Sequence, residues 1–76
     1  MNLLMIPKNV DFKIVKIKQN KLSDKNQYKH LENLGFVVGA IINVVSENGG
    51  NLIVKIKDSR VAIGRDIASA IIVGGI

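Results

Sequence analysis

Apolar and polar residues alternate with a period of two in several short runs, a pattern typical of β-strands. The first run, Val10–Lys18, changes parity: Phe12 and Ile14 fall on one side, Val15 and Ile17 on the other. A parity change within one strand predicts a bulge or a sharp bend. The first strand is therefore expected to curl the sheet.

The run that follows has the period of a helix. Tyr28, Leu31 and Leu34 fall on one face of it. Ser23 or Asp24 can act as the N-cap, and Asp24 has capping-box spacing to the glutamine three residues later. These signals predict one helix directly after the first strand.

The exit of this helix carries a second signal. Gly35 is suited to the left-handed C′ position, and Phe36 can then contact Leu31 one turn back, as in a Schellman ending. Gly39 is suited to the tight turn into the next strand. We therefore predict structural roles for Gly35, Phe36 and Gly39, with Phe36 in the core.

The second half of the chain predicts four more strands and two hairpins. Asn48-Gly49 marks the first hairpin turn, because both residues tolerate positive φ. Asp58-Ser59 marks the second, and residues 64–70 predict a helical corner. The predicted strands are Ala40–Val45, Leu52–Lys57, Arg60–Gly64 and Ile71–Val73. The apolar tail, residues 71–76, could pair edge to edge with a second copy.

These elements predict a mainly β fold: a small SH3-like barrel of about five strands, with one α-helix inserted after the first strand and a short helical turn before the last. Seventy-six residues make one domain, taken here as residues 1–76. The chain has no cysteine and is 47% hydrophobic, so aliphatic packing must stabilise it.

The formal net charge of +5 is concentrated in the first third of the chain. Seven lysines and two aspartates lie between Lys8 and Lys29, whereas charges elsewhere balance. Such a patch favours an acidic partner, although a solubilising face is an equal alternative. The predicted partner-binding residues lie on the exposed helix face and its flanking loop: Lys21, Lys25, Lys29 and His30.

The sequence offers little chemistry for catalysis or metal binding. His30 is the single histidine, and no carboxylate pair has spacing suited to acid–base work. His30 and Glu32 do not share a helix face, so we expect no metal site, no cofactor and no catalytic residue. With neither a signal-peptide pattern nor a membrane span, the chain is expected to be cytoplasmic.

Nucleic-acid binding is the main alternative function, because the lysine-rich first third could contact phosphates. Single-strand binders also need exposed aromatic side chains for stacking. The aromatic residues here, Phe12, Tyr28 and Phe36, all fall on predicted core positions. This alternative is therefore weaker than protein docking.

Two stretches of the chain carry a family resemblance. Residues 31–40, LENLGFVVGA, resemble the L-x-x-L-G-F-x-x-G helix exit of the FeoA family. Residues 61–71, VAIGRDIASAI, resemble its ending of hairpin, helical corner and last strand. The first strand, Lys13–Ile17, also fits, and one departure is Val38, where the family often has proline.

The resemblance implies a cytosolic accessory protein of bacterial ferrous iron uptake, without enzymatic activity, that docks on the membrane transporter FeoB through its cytoplasmic G domain. A related barrel occurs in DtxR-type metal-dependent repressors, so the fold alone does not identify the partner. No small-molecule substrate is expected. Neither the effect of docking on the transporter nor the oligomeric state follows from the sequence.

Overall fold

The computed structural model describes residues 1–19 and 25–76, with the backbone alone at Lys25. The chain forms five strands and two helices in this part. Their bounds are β1 Asp11–Ile17, α1 Lys25–Asn33, β2 Ile41–Asn48, β3 Asn51–Ile56, β4 Ser59–Gly64, α2 Arg65–Ala70 and β5 Ile71–Gly74.

The strands form one antiparallel sheet in the order β4-β3-β2-β1-β5. The two edge strands of the sheet, β4 and β5, are connected by α2, which contacts β3, β4 and β5. The mainly β, SH3-like fold is confirmed, with five strands, one helix after the first strand and a helical turn before the last. The sheet is not closed into a full barrel, because β4 and β5 are its two edges. The N-cap and capping box at residues 23 and 24 lie outside the described residues.

The parity change in β1 is a bulge, as predicted. Pairing of β1 with β5 shifts register between Ile14 and Lys16. Phe12 and Ile14 are buried before the shift, while Val15 is exposed at the bulge itself. A second shift, between Val44 and Ser46, lies in the pairing of β2 with β3. Because bulges increase local twist, they allow so few strands to curve around one core.

Both hairpin turns lie one residue away from their predicted positions. Asn48 pairs with Asn51, so the first turn is Gly49-Gly50, and both glycines have positive φ, 58° and 88°. Two glycines accept this backbone more readily than the Asn-Gly pair we expected, because neither has a Cβ.

The second turn is Lys57-Asp58 instead of Asp58-Ser59. Ile56 pairs with Ser59 across it, and Lys57 takes φ 53°. The register follows from burial: Ile56 stays on the core side together with the rest of the inward-facing residues of β3.

One apolar cluster fills the space between the sheet, α1 and the N-terminal residues. The sheet contributes alternate residues of every strand, Leu31 and Phe36 come from α1 and its exit, and Leu3 and Ile6 come from the N-terminus. No buried polar or charged residue is present among the described residues. Hydrophobic burial therefore dominates the stability of this fold.

The N-terminal residues cover part of the outer edge of β5, the edge that the sequence predicts could pair with a second copy. Asn2 bridges Ile72, and the Val73 N–H donates to the Met1 carbonyl at 2.7 Å. Leu3 is 1% exposed beneath this contact. An edge strand needs such cover to avoid pairing with other chains, and Leu3 provides an apolar anchor that holds it in place.

Candidate protein-docking surfaces

The first candidate is the helix surface, defined as the solvent-facing side of α1 with Lys29 and His30. Both residues are exposed, and His30 lies in the last turn. A cation there is favoured by the partial negative charge of the helix C-terminus. Lys25 is the first residue of α1, and Lys21 lies outside the described residues. Lys25, Lys29 and His30 therefore lie in α1, as the sequence predicts.

The helix exit holds this surface against the sheet. The Phe36 N–H donates to the Leu31 carbonyl at 2.9 Å, and the Gly35 N–H donates to the Glu32 carbonyl at 3.0 Å. These two bonds define a Schellman ending. Gly35 has φ 103°, which glycine adopts without a steric penalty. Phe36 is fully buried, so the exit joins α1 directly to the core.

Gly39 begins the ladder between β1 and β2. Its N–H donates to the Ile14 carbonyl at 2.8 Å, and the Ile14 N–H donates to the Ala40 carbonyl at 2.9 Å. Gly39 has φ 95° and no atom near the position of a Cβ, so backbone conformation alone favours glycine here.

The apolar face of α1 is less buried than the sequence predicts at two of its three positions. Leu31 is 2% exposed, whereas Tyr28 and Leu34 are half-buried. Tyr28 is the fourth residue of the nine-residue α1 and is absent from the buried cluster. The prediction that all three aromatic residues lie in the core therefore holds for Phe12 and Phe36 only.

A second candidate surface, the sheet groove, lies on the outer face of β1–β4. It encloses about 490 Å³ and is open to solvent along the sheet. Its polar and charged lining includes Asp11, Asn43, Lys55, Lys57 and Arg60. Ile41 and Val45 contribute apolar surface between them. The groove lining thus combines positively charged and aliphatic side chains.

The sheet register places the charged groups of the groove in a row. Asp11 pairs with Asn43, Asn43 with Lys55, and Lys55 with Arg60. The Asn43 amide donates to Asp11 Oδ1 at 2.9 Å. Lys55 and Arg60 are therefore directly opposed like charges, an arrangement that destabilises a sheet.

Neither cation of this opposed pair has a counter-ion in the described part of the chain. The ion pair found there is that of Arg65 with Glu47, at 2.7 Å on the surface. An exposed pair of this kind contributes little to stability. The lining holds three cations, Lys55, Lys57 and Arg60, and one carboxylate, Asp11, so the sheet groove keeps a positive excess.

Lys57 connects the two surfaces. The position of a Cβ on Gly35 would lie 3.2 Å from two carbons of the Lys57 side chain. The aliphatic stem of Lys57 therefore covers the helix exit, while the residue also lines the groove. A change at the helix exit is expected to move a groove residue.

The sheet groove was not predicted as a site, although its signal was present in the sequence. Lys55 and Lys57 alternate in the sequence with the buried residues of β3, a period-two pattern that places them on the outer face. Arg60 meets Lys55 only through the register of the β3–β4 hairpin. Counting charge along the chain hides this cluster, because Glu47 and Asp58 offset two of its three positive charges in the sum but lie outside the groove lining.

No group of three or more potential metal-ligating side chains occurs among the described residues. Neither helix of the described part has the length and apolar character that a membrane crossing requires.

Comparison with protein-family models matches residues 1–74 to the FeoA domain. The chain belongs to the FeoA family. This match covers both motifs of the sequence analysis and every helix and strand of the fold. A search of curated protein sequences gives no match.

Solved structures share the fold. Iron(II) transport protein A of Clostridium thermocellum superposes with a TM-score of 0.85 at 23% identity; the match covers 100% of this chain and 46% of that protein. A structure of an iron uptake regulatory protein, FeoA, gives 0.77 at 27% identity and covers 97% and 93%.

Two further neighbours show how widely the fold is used. Stenotrophomonas maltophilia FeoA complexed with zinc, described as a procaryotic SH3 domain protein, gives a TM-score of 0.83 at 22% identity over 97% of this chain and 89% of that one. A manganese-dependent transcriptional repressor gives 0.85 at 18% identity over 100% and 41%. Such similarity establishes the SH3-like fold but does not define a partner.

Proposed function

We propose that this chain is a cytoplasmic accessory protein of ferrous iron uptake that docks on the membrane transporter FeoB, at its cytoplasmic G domain. The observation that carries this proposal is the FeoA family match over residues 1–74. Solved relatives of the same fold are described as an iron(II) transport protein and an iron uptake regulatory protein. In this proposal residues 1–76 act as one FeoA domain by binding a protein, without catalysis.

The helix surface is the proposed contact with FeoB. Lys29 and His30 are exposed on α1, which is an addition to an otherwise minimal sheet. Lys25 and Lys29 are four residues apart in this helix, a spacing that puts both on one face. Together with Lys21 in the preceding segment, they would meet an acidic face of the G domain.

A binding titration tests the proposal. Purified chain is titrated with the isolated G domain of the cognate FeoB at physiological salt, and saturable binding at a 1:1 ratio is expected. Because the contact is electrostatic, the affinity should fall as salt is raised. Absence of binding to both the G domain and the full transporter would contradict the proposal.

Matched charge reversals locate the contact. Lys25→Glu with Lys29→Glu is expected to weaken binding by about tenfold or more, since each lost charge contact is worth on the order of 1 kcal/mol. Lys8→Glu with Lys16→Glu is the control, because both lysines are exposed and the net charge changes equally. An equal loss in both variants would indicate a general charge effect and would reject the helix surface.

A further inference from the structure

We infer that the sheet groove is a separate binding site for an extended segment of a partner protein in which acidic and apolar side chains recur at every second position. The inference deepens the proposed function and rests on it only for the existence of a protein partner. Its basis is the charge, apolar surface and strand geometry of the groove on β1–β4.

The first argument is uncompensated charge. Lys55 and Arg60 face each other across β3 and β4 and have no counter-ion in the described part of the chain. Lys57 lies on the same side and also lines the groove. A carboxylate between Lys55 and Arg60 would convert a repulsive pair into two attractive contacts. The groove is therefore electrostatically complementary to an acidic ligand.

The second argument is the apolar surface beside these cations. Ile41 is 43% exposed and lines the groove together with Val45. Apolar area that remains open next to charged groups can be buried by an apolar side chain of a ligand, a gain of about 25 cal/mol per Å². An acidic ligand without apolar groups would leave this surface uncovered.

The third argument is spacing. Ile41 and Asn43 are two residues apart on β2 and therefore lie on one face of the strand. Asn43 pairs with Lys55 of β3. Two residues of a strand span roughly 6.6 Å, and the same distance separates alternate side chains of an extended ligand. A segment lying parallel to β2 would place one carboxylate near Lys55 and Arg60 and an apolar side chain over Ile41.

The groove fits a protein segment better than a nucleic acid. Among the described residues no aromatic side chain lines it, so they offer bases no stacking platform. Asp11 lies at one end of the charged row and accepts a hydrogen bond from Asn43. A continuous phosphate backbone crossing the row would meet this carboxylate, whereas a peptide can place a neutral or basic group there.

A synthetic peptide tests the inference. The probe peptide repeats the sequence Glu-Ser-Val-Ser, so that glutamate and valine alternate at every second position. The control peptide has glutamine in place of each glutamate. Backbone amide shifts of the full chain are followed by NMR during titration. The glutamate peptide should move amides of β2, β3 and β4, and should bind about tenfold more tightly than the glutamine peptide.

Two variants give the control. Lys55→Glu with Arg60→Glu should weaken binding of the glutamate peptide by about tenfold or more, whereas Arg60→Lys, which keeps the charge, should bind almost as well. Equal affinity for both peptides, shifts confined to α1, or unaltered affinity of the double variant would overturn the inference. Tighter binding of a single-stranded RNA at the groove amides would also overturn it.

The peptide titration and the FeoB titration can fail independently of each other. If FeoB binds but the peptide does not, the groove inference fails and docking stands. If the peptide binds at the groove but FeoB does not bind, docking on FeoB fails and the groove remains a site for another partner.

Discussion

The helix surface and the sheet groove are both basic, but the protein holds them in place by different means. The helix surface depends on the burial of Leu31 and on the Schellman exit that ends in Phe36. The sheet groove depends on the pairing register of four strands. A helix this short has little stability of its own, whereas each strand of the groove is held by hydrogen bonds to its neighbours.

This difference bears on what each surface can recognise. The helix surface is carried by one nine-residue helix, whose position depends on packing against the core. Side chains on paired strands keep fixed spacing, which suits recognition of one extended segment. The molecule thus offers a broad contact and a narrow one on different elements.

The largest expected effect comes from removing the anchor of the helix surface. Leu31 is 2% exposed, so Leu31→Ala should lower the free energy of unfolding by about 2–5 kcal/mol. The total for a chain of this size is only roughly 4–11 kcal/mol, so the loss should be evident in a urea titration. Hydrogen exchange should increase most in α1 and least in β2 and β3.

The matched control for this variant is Val38→Ala. Val38 is 67% exposed in the loop after α1, and its truncation should alter the free energy of unfolding by less than about 0.5 kcal/mol. Equal exchange in α1 and the sheet after Leu31→Ala would show that the two surfaces are not held independently.

A smaller effect is expected where the two surfaces meet. Gly35→Ala places a Cβ on a residue with φ 103° and brings it to 3.2 Å from the stem of Lys57. The free energy of unfolding should fall by about 1–2 kcal/mol or more, and the amide of Lys57 should shift in NMR spectra. Gly75→Ala is the control, because a Cβ at Gly75 meets no atom within 4 Å. An equal loss of unfolding free energy in both variants would contradict the claim that Gly35→Ala strains the helix exit.

The smallest expected effect is a gain in stability in the sheet groove. Lys55→Glu replaces a like-charge pair with an opposite-charge pair across β3 and β4. The free energy of unfolding should rise by about 0.2–1 kcal/mol at low salt, and the gain should shrink at high salt. Lys16→Glu, which pairs with the apolar Ile72, makes the same charge change without this neighbour. A gain of the same size there would point to reduced net charge as the cause.

Local patterns predicted the elements of the fold well, because each has its own short-range signal. The parity change in β1 predicted the bulge, and Gly35 with Phe36 predicted the helix exit. Both hairpins were predicted but displaced by one residue. Turn propensity favoured Asn48-Gly49, whereas core burial of alternate strand residues sets the register that moves the turn to Gly49-Gly50.

Long-range placement was beyond these patterns. Nothing near Met1 in the sequence indicates that residues 1–3 cover the edge of β5, because that contact joins opposite ends of the chain. Likewise, Lys55 and Arg60 are five positions apart and become neighbours only through the hairpin register. The helix surface followed from charge counting, but the sheet groove required the topology.

Association with FeoB in its membrane tests the central claim, that this chain acts by docking on a protein partner. The full chain is incubated at physiological salt with membrane vesicles that contain or lack the cognate FeoB, and bound chain is measured after sedimentation. Saturable binding to the FeoB vesicles alone is expected, with no mobility shift of RNA by the same preparation. Equal binding to both kinds of vesicle, or an RNA shift without binding to FeoB, would contradict the account.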